Sequence, residues 1–290
     1  MSLDVCPRRS TIPSPSRSSF GIVTALSLGL LGACGGGDAD VGSSEPADDQ
    51  PSMTSAPVLP PLVEHLKAGH AIFGIFSGEK SPEQGQIMGQ NRALDFVFYS
   101  LESGPFDIPT LEAYMDGVAE GAADQREHPI ALRIPPIGDD PEGAQTRATQ
   151  ALDAGVSAIV VPHVQSRAHA QAAVEIVGND LWPGNPDGTL INMLIVEDIP
   201  GMENVDEIMS TPGVSVVFAG PGDLRRSYEG DMEAVENAIQ TVLAACKANG
   251  VPCGITAGAD DIAGRIEQGF QVIIVTEAEA VPVGRAAAGR

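Results

Sequence analysis

Beyond residue 60 the chain alternates short apolar runs, rich in β-branched residues, with longer segments of helical periodicity. Eight runs predict strands, over 71–76, 96–101, 130–134, 158–164, 190–197, 214–219, 254–256 and 272–276. Between them apolar residues recur at three- and four-residue steps. Val235, Ala238, Ile239, Val242 and Cys246 make one such stripe, with Lys247 and Gly250 as its end signals. Gly155, Gly213, Gly250 and Gly269 each stand just before a strand, where a helix-capping glycine belongs in a helix-to-strand turn. Strands apolar along their whole length are buried on both faces. Eight of them alternating with helices over about 230 residues predict a (β/α)8 TIM barrel spanning 61–290. A doubly wound open sheet is the alternative α/β arrangement, but no glycine-rich phosphate fingerprint follows the first strand.

The pattern before residue 60 is different. Arg8, Arg9 and Arg17 precede an uncharged stretch over 20–33 that ends Leu31-Gly32-Ala33 before Cys34. A basic start, a short apolar stretch and small residues before the cut predict an export signal over 1–33, too short for a spanning helix. The Leu-Gly-Ala-Cys ending resembles a bacterial lipobox, which would make Cys34 the lipidated first residue of the mature chain; an ordinary signal peptide with a chance cysteine is the alternative. Gly35 after the cysteine, rather than Asp, favours the outer membrane over the inner within that class. The expected address is therefore the bacterial cell envelope, facing the periplasm, with the membrane engaged through the lipid anchor only. Residues 34–60 are Gly, Ser, Pro, Ala and acid without a basic residue, a composition that predicts a flexible acidic tether.

Charge narrows the function classes. Lys and Arg total 16 against 39 Asp and Glu, a formal net charge of −23. Phosphate backbones and anionic headgroups repel such a chain, and aromatics at 4% supply few stacking platforms, so nucleic acid is not an expected partner. Of four cysteines, Cys6 leaves with the signal and Cys34 is the lipidation candidate. Cys246 and Cys253 remain, either as a disulfide in an oxidising compartment or as two buried thiols.

A barrel keeps its chemistry just after the strand C-termini. Those positions hold Glu102 and Ser103 after the second strand, Arg133 at the end of the third, His163 in the fourth, Glu197 after the fifth and Asp223 after the sixth. Two carboxylates on neighbouring strand ends are the donors a hard divalent cation takes.

Several segments, read together and in order, resemble the HpcH/HpaI aldolase/citrate lyase family. They are Phe73-Gly74-Ile75, Asp95-Phe96-Val97, Leu101-Glu102-Ser103-Gly104-Pro105, Leu132-Arg133-Ile134-Pro135, Ala151-Leu152-Asp153-Ala154-Gly155, Ile159-Val160-Val161-Pro162, Leu194-Ile195-Val196-Glu197 and Phe218-Ala219-Gly220-Pro221-Gly222-Asp223-Leu224. The resemblance implies a metal-dependent, pyruvate-class aldolase on a (β/α)8 barrel, acting on a small 2-oxo acid or related carboxylate. It implies Glu197 and Asp223 as metal ligands for Mg²⁺ or Mn²⁺, with Co²⁺ also admissible. It further implies Arg133 on the keto oxygen as that oxygen becomes an enolate, and Asp153 as the acid that pairs with a histidine base.

The chain departs from the family pattern at that histidine. The family's aldolases carry Glu-His where this chain has Glu102-Ser103, and a serine has no proton affinity near neutral pH. A water at the metal, or His163, is left to move protons, although His163 also reads as a packed core histidine. Ile195 replaces a glutamine of the aldolases, and the segment around Trp182-Pro183-Gly184 is shorter than theirs. The Gly/Ala-rich end of the chain replaces a longer helix, so an oligomer is compatible but the family's hexamer is not expected. Two functions follow: a carbon–carbon lyase on a 2-oxo acid, or a non-catalytic envelope lipoprotein that binds a small carboxylate or metal on a degenerate aldolase barrel.

Overall fold

The computed structural model describes residues 61–290; the expected signal segment, the tether, Cys6 and Cys34 lie outside them. Eight parallel strands pair in chain order and close on themselves, as the apolar periodicity predicts. They are β1 (Ile72–Phe76), β2 (Phe96–Ser100), β3 (Ile130–Arg133), β4 (Ala158–Val161), β5 (Ile191–Val196), β6 (Val216–Ala219), β7 (Cys253–Ala257) and β8 (Val272–Val275). Most end one to three residues earlier than expected, and β4 stops two residues before His163. The eighth strand returns to the first with Ile72 opposite Val272 and Ile75 opposite Val275.

Helices fill the connections: α1 (Pro61–Lys67), α2 (Pro82–Gln90), α3 (Ile108–Ala122), α4 (Pro141–Asp153), α5 (Arg167–Glu175), α6 (Ile199–Glu203), α7 (Val205–Met209), α8 (Pro221–Ser227), α9 (Met232–Asn249), α10 (Ile262–Gln268) and α11 (Ala280–Ala287). Their starts follow from sequence. Ser81, Asp107, Asp140, Ser166, Asp198 and Asp231 each accept a backbone N–H of the first turn. Those side chains satisfy donors that would otherwise lack an intrahelical partner. Gly250 and Gly269 end α9 and α10 in the left-handed conformation, the capping role their spacing predicts.

Alternation along each strand sorts the apolar residues into two cores. One lies between strands and helices. The other fills the barrel interior with Phe96, Phe98, Val160, Met193, Ile195, Phe218 and Ile274, and includes Leu62, Val63 and Leu66 of α1. Because α1 leads into the start of β1, it covers the N-terminal mouth and leaves the C-terminal mouth open. Phe96 and Phe218 fit inside because Gly74 and Gly254 face them: a Cβ at either glycine would lie 2.3 Å from a ring carbon. On the outside, α2 and α3 meet backbone to backbone. A Cβ on Gly117 would lie 2.1 Å from the Pro82 carbonyl oxygen, and one on Gly85 2.2 Å from that of Tyr114.

Cys246 and Cys253 are both buried free thiols. The Cys246 Sγ reaches the Val217 carbonyl at 3.9 Å, and Val217 pairs in register with Cys253, so the two lie side by side. Burial and the adjacent Cys246 thiol push the Cys253 thiol far above its ordinary range. Among the described residues no helix is long and apolar enough to cross a membrane.

Candidate active site at the C-terminal mouth

The open mouth holds a cavity of about 550 Å³ whose lining includes Arg133, Glu197 and Asp223. Arg133 ends β3 and Glu197 directly follows β5, both in register with inward-facing positions. Asp223 arrives differently from expectation. The Gly-Pro-Gly turn is a strand-to-helix junction, and Asp223 belongs to the first turn of α8, where a carboxylate is favoured by the helix dipole.

Glu197 is the centre of the site. It is only 3% exposed, and it fits because residue 220 has no side chain. A Cβ on Gly220 would lie 2.6 Å from both the Cβ and the Oε2 of Glu197. The His163 amide donates to Glu197 Oε1 at 3.0 Å. Burial above all pushes the Glu197 carboxyl up to about 7. Nearby His163 and its amide oppose that shift, whereas the Asp223 and Glu102 charges add to it.

His163 lies in the loop after β4, not in the strand, and carries a left-handed φ of 51°. Such a conformation is uncommon for a residue with a side chain and costs energy unless the surroundings hold it. The ring reaches three carboxylates. Nδ1 lies 3.6 Å from Glu197 Oε1 and 3.5 Å from Asp198 Oδ2, and Nε2 lies 3.9 Å from Glu102 Oε1. His163 is therefore not a core-filling histidine; its ring stays 36% exposed at the mouth. The other four histidines contact none of these carboxylates: His65, His70 and His128 lie at the opposite end, and His169 on α5.

Arg133 is oriented from two sides. Its Nε donates to Ser100 Oγ at 3.0 Å and its Nη2 pairs with Glu102 Oε2 at 2.9 Å. The guanidinium carbon lies 5.4 Å from the centre of the Phe98 ring. Ligand atoms of Glu102, His163 and Glu197 lie within 4.8 Å of one another, so these three can converge on one ion. Asp223 faces the same cavity but stands outside that tight group and pairs with Arg226.

Two expected residues are not brought to the site. Asp153 is the last residue of α4 and exposed. The helices run back towards the strand starts, so its Asp-Ala-Gly segment marks a helix end at the N-terminal face. Within this chain Asp153 is not among the residues that line the mouth. Ser103 lies in the loop after β2, exposed and outside the cavity lining. Ser100 and Asp198 are the participants that the strand-end positions did not mark, and Glu102 stood among those positions without a role. Glu102 carried a signal, being the first charge after β2.

A sequence model described as HpcH/HpaI aldolase/citrate lyase matches residues 94–276. A hydroxypyruvate/pyruvate aldolase of Delftia acidovorans is 26% identical over 262 residues, covering 78% of this chain and 91% of that protein. An HpcH/HpaI aldolase/citrate lyase family structure from Burkholderia cenocepacia superposes with a TM-score of 0.64 at 22% identity, over 79% of this chain and 97% of that one. The citrate lyase beta subunit of M. tuberculosis, solved with oxaloacetate and magnesium, superposes at 0.56 with 18% identity, over 78% of this chain and 100% of that one. A family match over more than half of the chain, on the barrel and strand-end positions described above, establishes that this protein belongs to the HpcH/HpaI aldolase/citrate lyase family.

Proposed function

We propose that the barrel is a carbon–carbon lyase that cleaves a 4-hydroxy-2-oxo acid to a pyruvate-type product and an aldehyde, using a divalent metal. The observation that carries this reading is the convergence of Arg133, Glu197 and Asp223 on one cavity at the C-terminal mouth.

The donor chemistry fits a hard cation. Glu197 is buried, near two further carboxylates, with its carboxyl pushed up to about 7. A dication relieves that crowding of negative charge, and oxygen donors favour Mg²⁺ or Mn²⁺, with Co²⁺ admissible beside imidazole. Glu197 and Asp223 would hold it, with Glu102 as the adjacent oxygen donor and His163 left beside them to move protons. When bound, the metal supplies Lewis-acid polarisation of the 2-oxo group. Arg133 donates to the oxygen that gains negative charge as the C3–C4 bond breaks; Ser100 and Glu102 fix its plane beforehand, so little reorganisation accompanies that charge. The C4 hydroxyl proton leaves as that bond breaks, and C3 takes a proton afterwards. His163 is the imidazole in contact with the site's carboxylates, and it takes the role that Ser103 cannot.

The test is pyruvate release from 4-hydroxy-2-oxo acids by the full chain with Mg²⁺ or Mn²⁺ present. Metal-loaded, folded protein that turns over none of a substrate panel would refute the lyase reading. A second reading, carboxylate or metal binding without catalysis, draws on Ser103 lying exposed where the family's histidine is expected. It predicts metal-dependent binding of a 2-oxo acid with no turnover, and lyase activity gained in Ser103→His. The proposal extends to location: the domain is carried on a lipidated Cys34 in the cell envelope. Loss of the chain from the membrane fraction in Cys34→Ala is the expected outcome.

A further inference from the structure

One wall of the mouth is apolar. Phe98, Ile195, Phe218 and Ile274 form its buried floor, and Phe76 and Pro221 rise at its rim. Phe76 is 43% exposed, one of few large hydrophobics left open to solvent among the described residues. It is not a stray surface residue. Its ring stands edge-on to Phe98, with centroids 5.2 Å apart and planes at 77°, so one ring is packed and the other presents an open face beside the reacting region.

Charge on the same cavity is one-sided. Among the described residues Arg133 is the only cationic side chain in the lining, already committed to Ser100 and Glu102, while Glu197, Asp223 and Asp261 are acidic. The substrate's 2-oxo acid end takes that guanidinium. Asp223 and Asp261 already pair with Arg226 and Arg265, so a second carboxylate further along the substrate meets no uncommitted cation in this lining.

We propose that the half of the substrate released as aldehyde carries a bulky, uncharged, apolar group, aromatic or branched, that packs on Phe76 and Phe98. This rests on the lyase reading for the position of the 2-oxo acid end. Phe76 is the specificity-determining residue, since it closes over the group the floor cannot reach. The cavity, at about 550 Å³, has room for a 2-oxo acid with one ring attached.

Two probes without a 4-hydroxyl, which the proposed reaction cannot cleave, separate this inference from the activity: 2-oxo-4-phenylbutanoate and 2-oxoglutarate. Calorimetric titration of each into the full chain with Mg²⁺ is expected to give binding at least about tenfold tighter for the phenyl compound. Phe76→Ala should erase that preference while leaving affinity for 2-oxobutanoate within about twofold, and Phe76→Leu should keep most of it. Equal or tighter binding of 2-oxoglutarate, an unchanged phenyl affinity in Phe76→Ala, or binding of neither probe overturns the inference. Absence of pyruvate release with the phenyl preference intact overturns the lyase reading alone.

Discussion

His163 and Glu197 are tied through backbone and ring together: the amide of His163 donates to Glu197 Oε1 at 3.0 Å, and its Nδ1 lies 3.6 Å from the same oxygen. The amide can reach the carboxylate because His163 turns through a left-handed φ of 51°. The backbone hydrogen bond and the imidazole are therefore separable by mutation. Asn tolerates that conformation better than most residues, so His163→Asn keeps the loop and removes the base. If His163 moves the proton, this variant loses about 10²–10⁴-fold in kcat with melting temperature nearly unchanged. Steady-state kinetics beside a thermal melt check it, and retained kcat in the folded variant excludes His163 as the base.

Arg133 illustrates how much a fixed donor plane matters. Its Nε and Nη2 are spent on Ser100 and Glu102, which leaves the remaining guanidinium face for an oxyanion. Lysine keeps the charge but lacks the fork, so it cannot hold both partners and the substrate together. Arg133→Lys is expected to lower kcat/KM by about 10²–10³-fold, with the loss mainly in kcat. A change confined to KM would mean that Arg133 serves binding rather than the developing charge.

The barrel and half of this site were legible in the sequence for a physical reason. A strand buried on both faces is written as a continuous apolar run, and its last inward residue is marked by a polar side chain. Hence Arg133 and Glu197 stood out, and Asp223 did as the first charge after the turn that ends β6. Contacts made by loops leave no such mark. Nothing local to His163 shows that its backbone turns left-handed towards Glu197, or that Glu102 swings to Arg133. The segment that holds Asp153 is the end of α4, and within this chain it is not part of the mouth. The backbone contact of α2 with α3 is encoded only in Gly85, Gly89, Gly117 and Gly121, a spacing without an apolar signal.

The Glu197 carboxyl links pH to stability. Its folded value is raised to about 7 from an ordinary 4.5, chiefly by burial. A group with a raised folded value binds its proton more tightly in the native state. Its contribution is therefore fully present below about 4.5 and is lost as pH rises through about 7. In metal-free protein, wild type should lose stability relative to Glu197→Gln across that window, by about 3 kcal/mol as an order of magnitude. Saturating Mg²⁺ should shrink the difference, because the cation favours the ionised carboxylate. Urea denaturation of both proteins at about pH 5 and about pH 8 measures it; parallel pH dependence of wild type and variant would contradict the assignment.

Gly220, in the cavity wall, sets the position of that carboxylate. A methyl group there would overlap both the Cβ and the Oε2 of Glu197, and would press on the Ile195 side chain at 3.0 Å. The backbone at Gly220 has φ −90°, which alanine adopts freely, so a loss in Gly220→Ala comes from crowding and not from backbone strain. Overpacking at a buried site costs about 1–3 kcal/mol. Glu197 has to shift to make room, which changes its placement against Asp223 across the shared cavity. Gly220→Ala should therefore weaken Mn²⁺ binding, read by titration calorimetry, by more than Gly222→Ala, whose added Cβ meets nothing within 4 Å. Equal Mn²⁺ affinity in the two variants would mean that the ion does not depend on where Gly220 lets Glu197 sit.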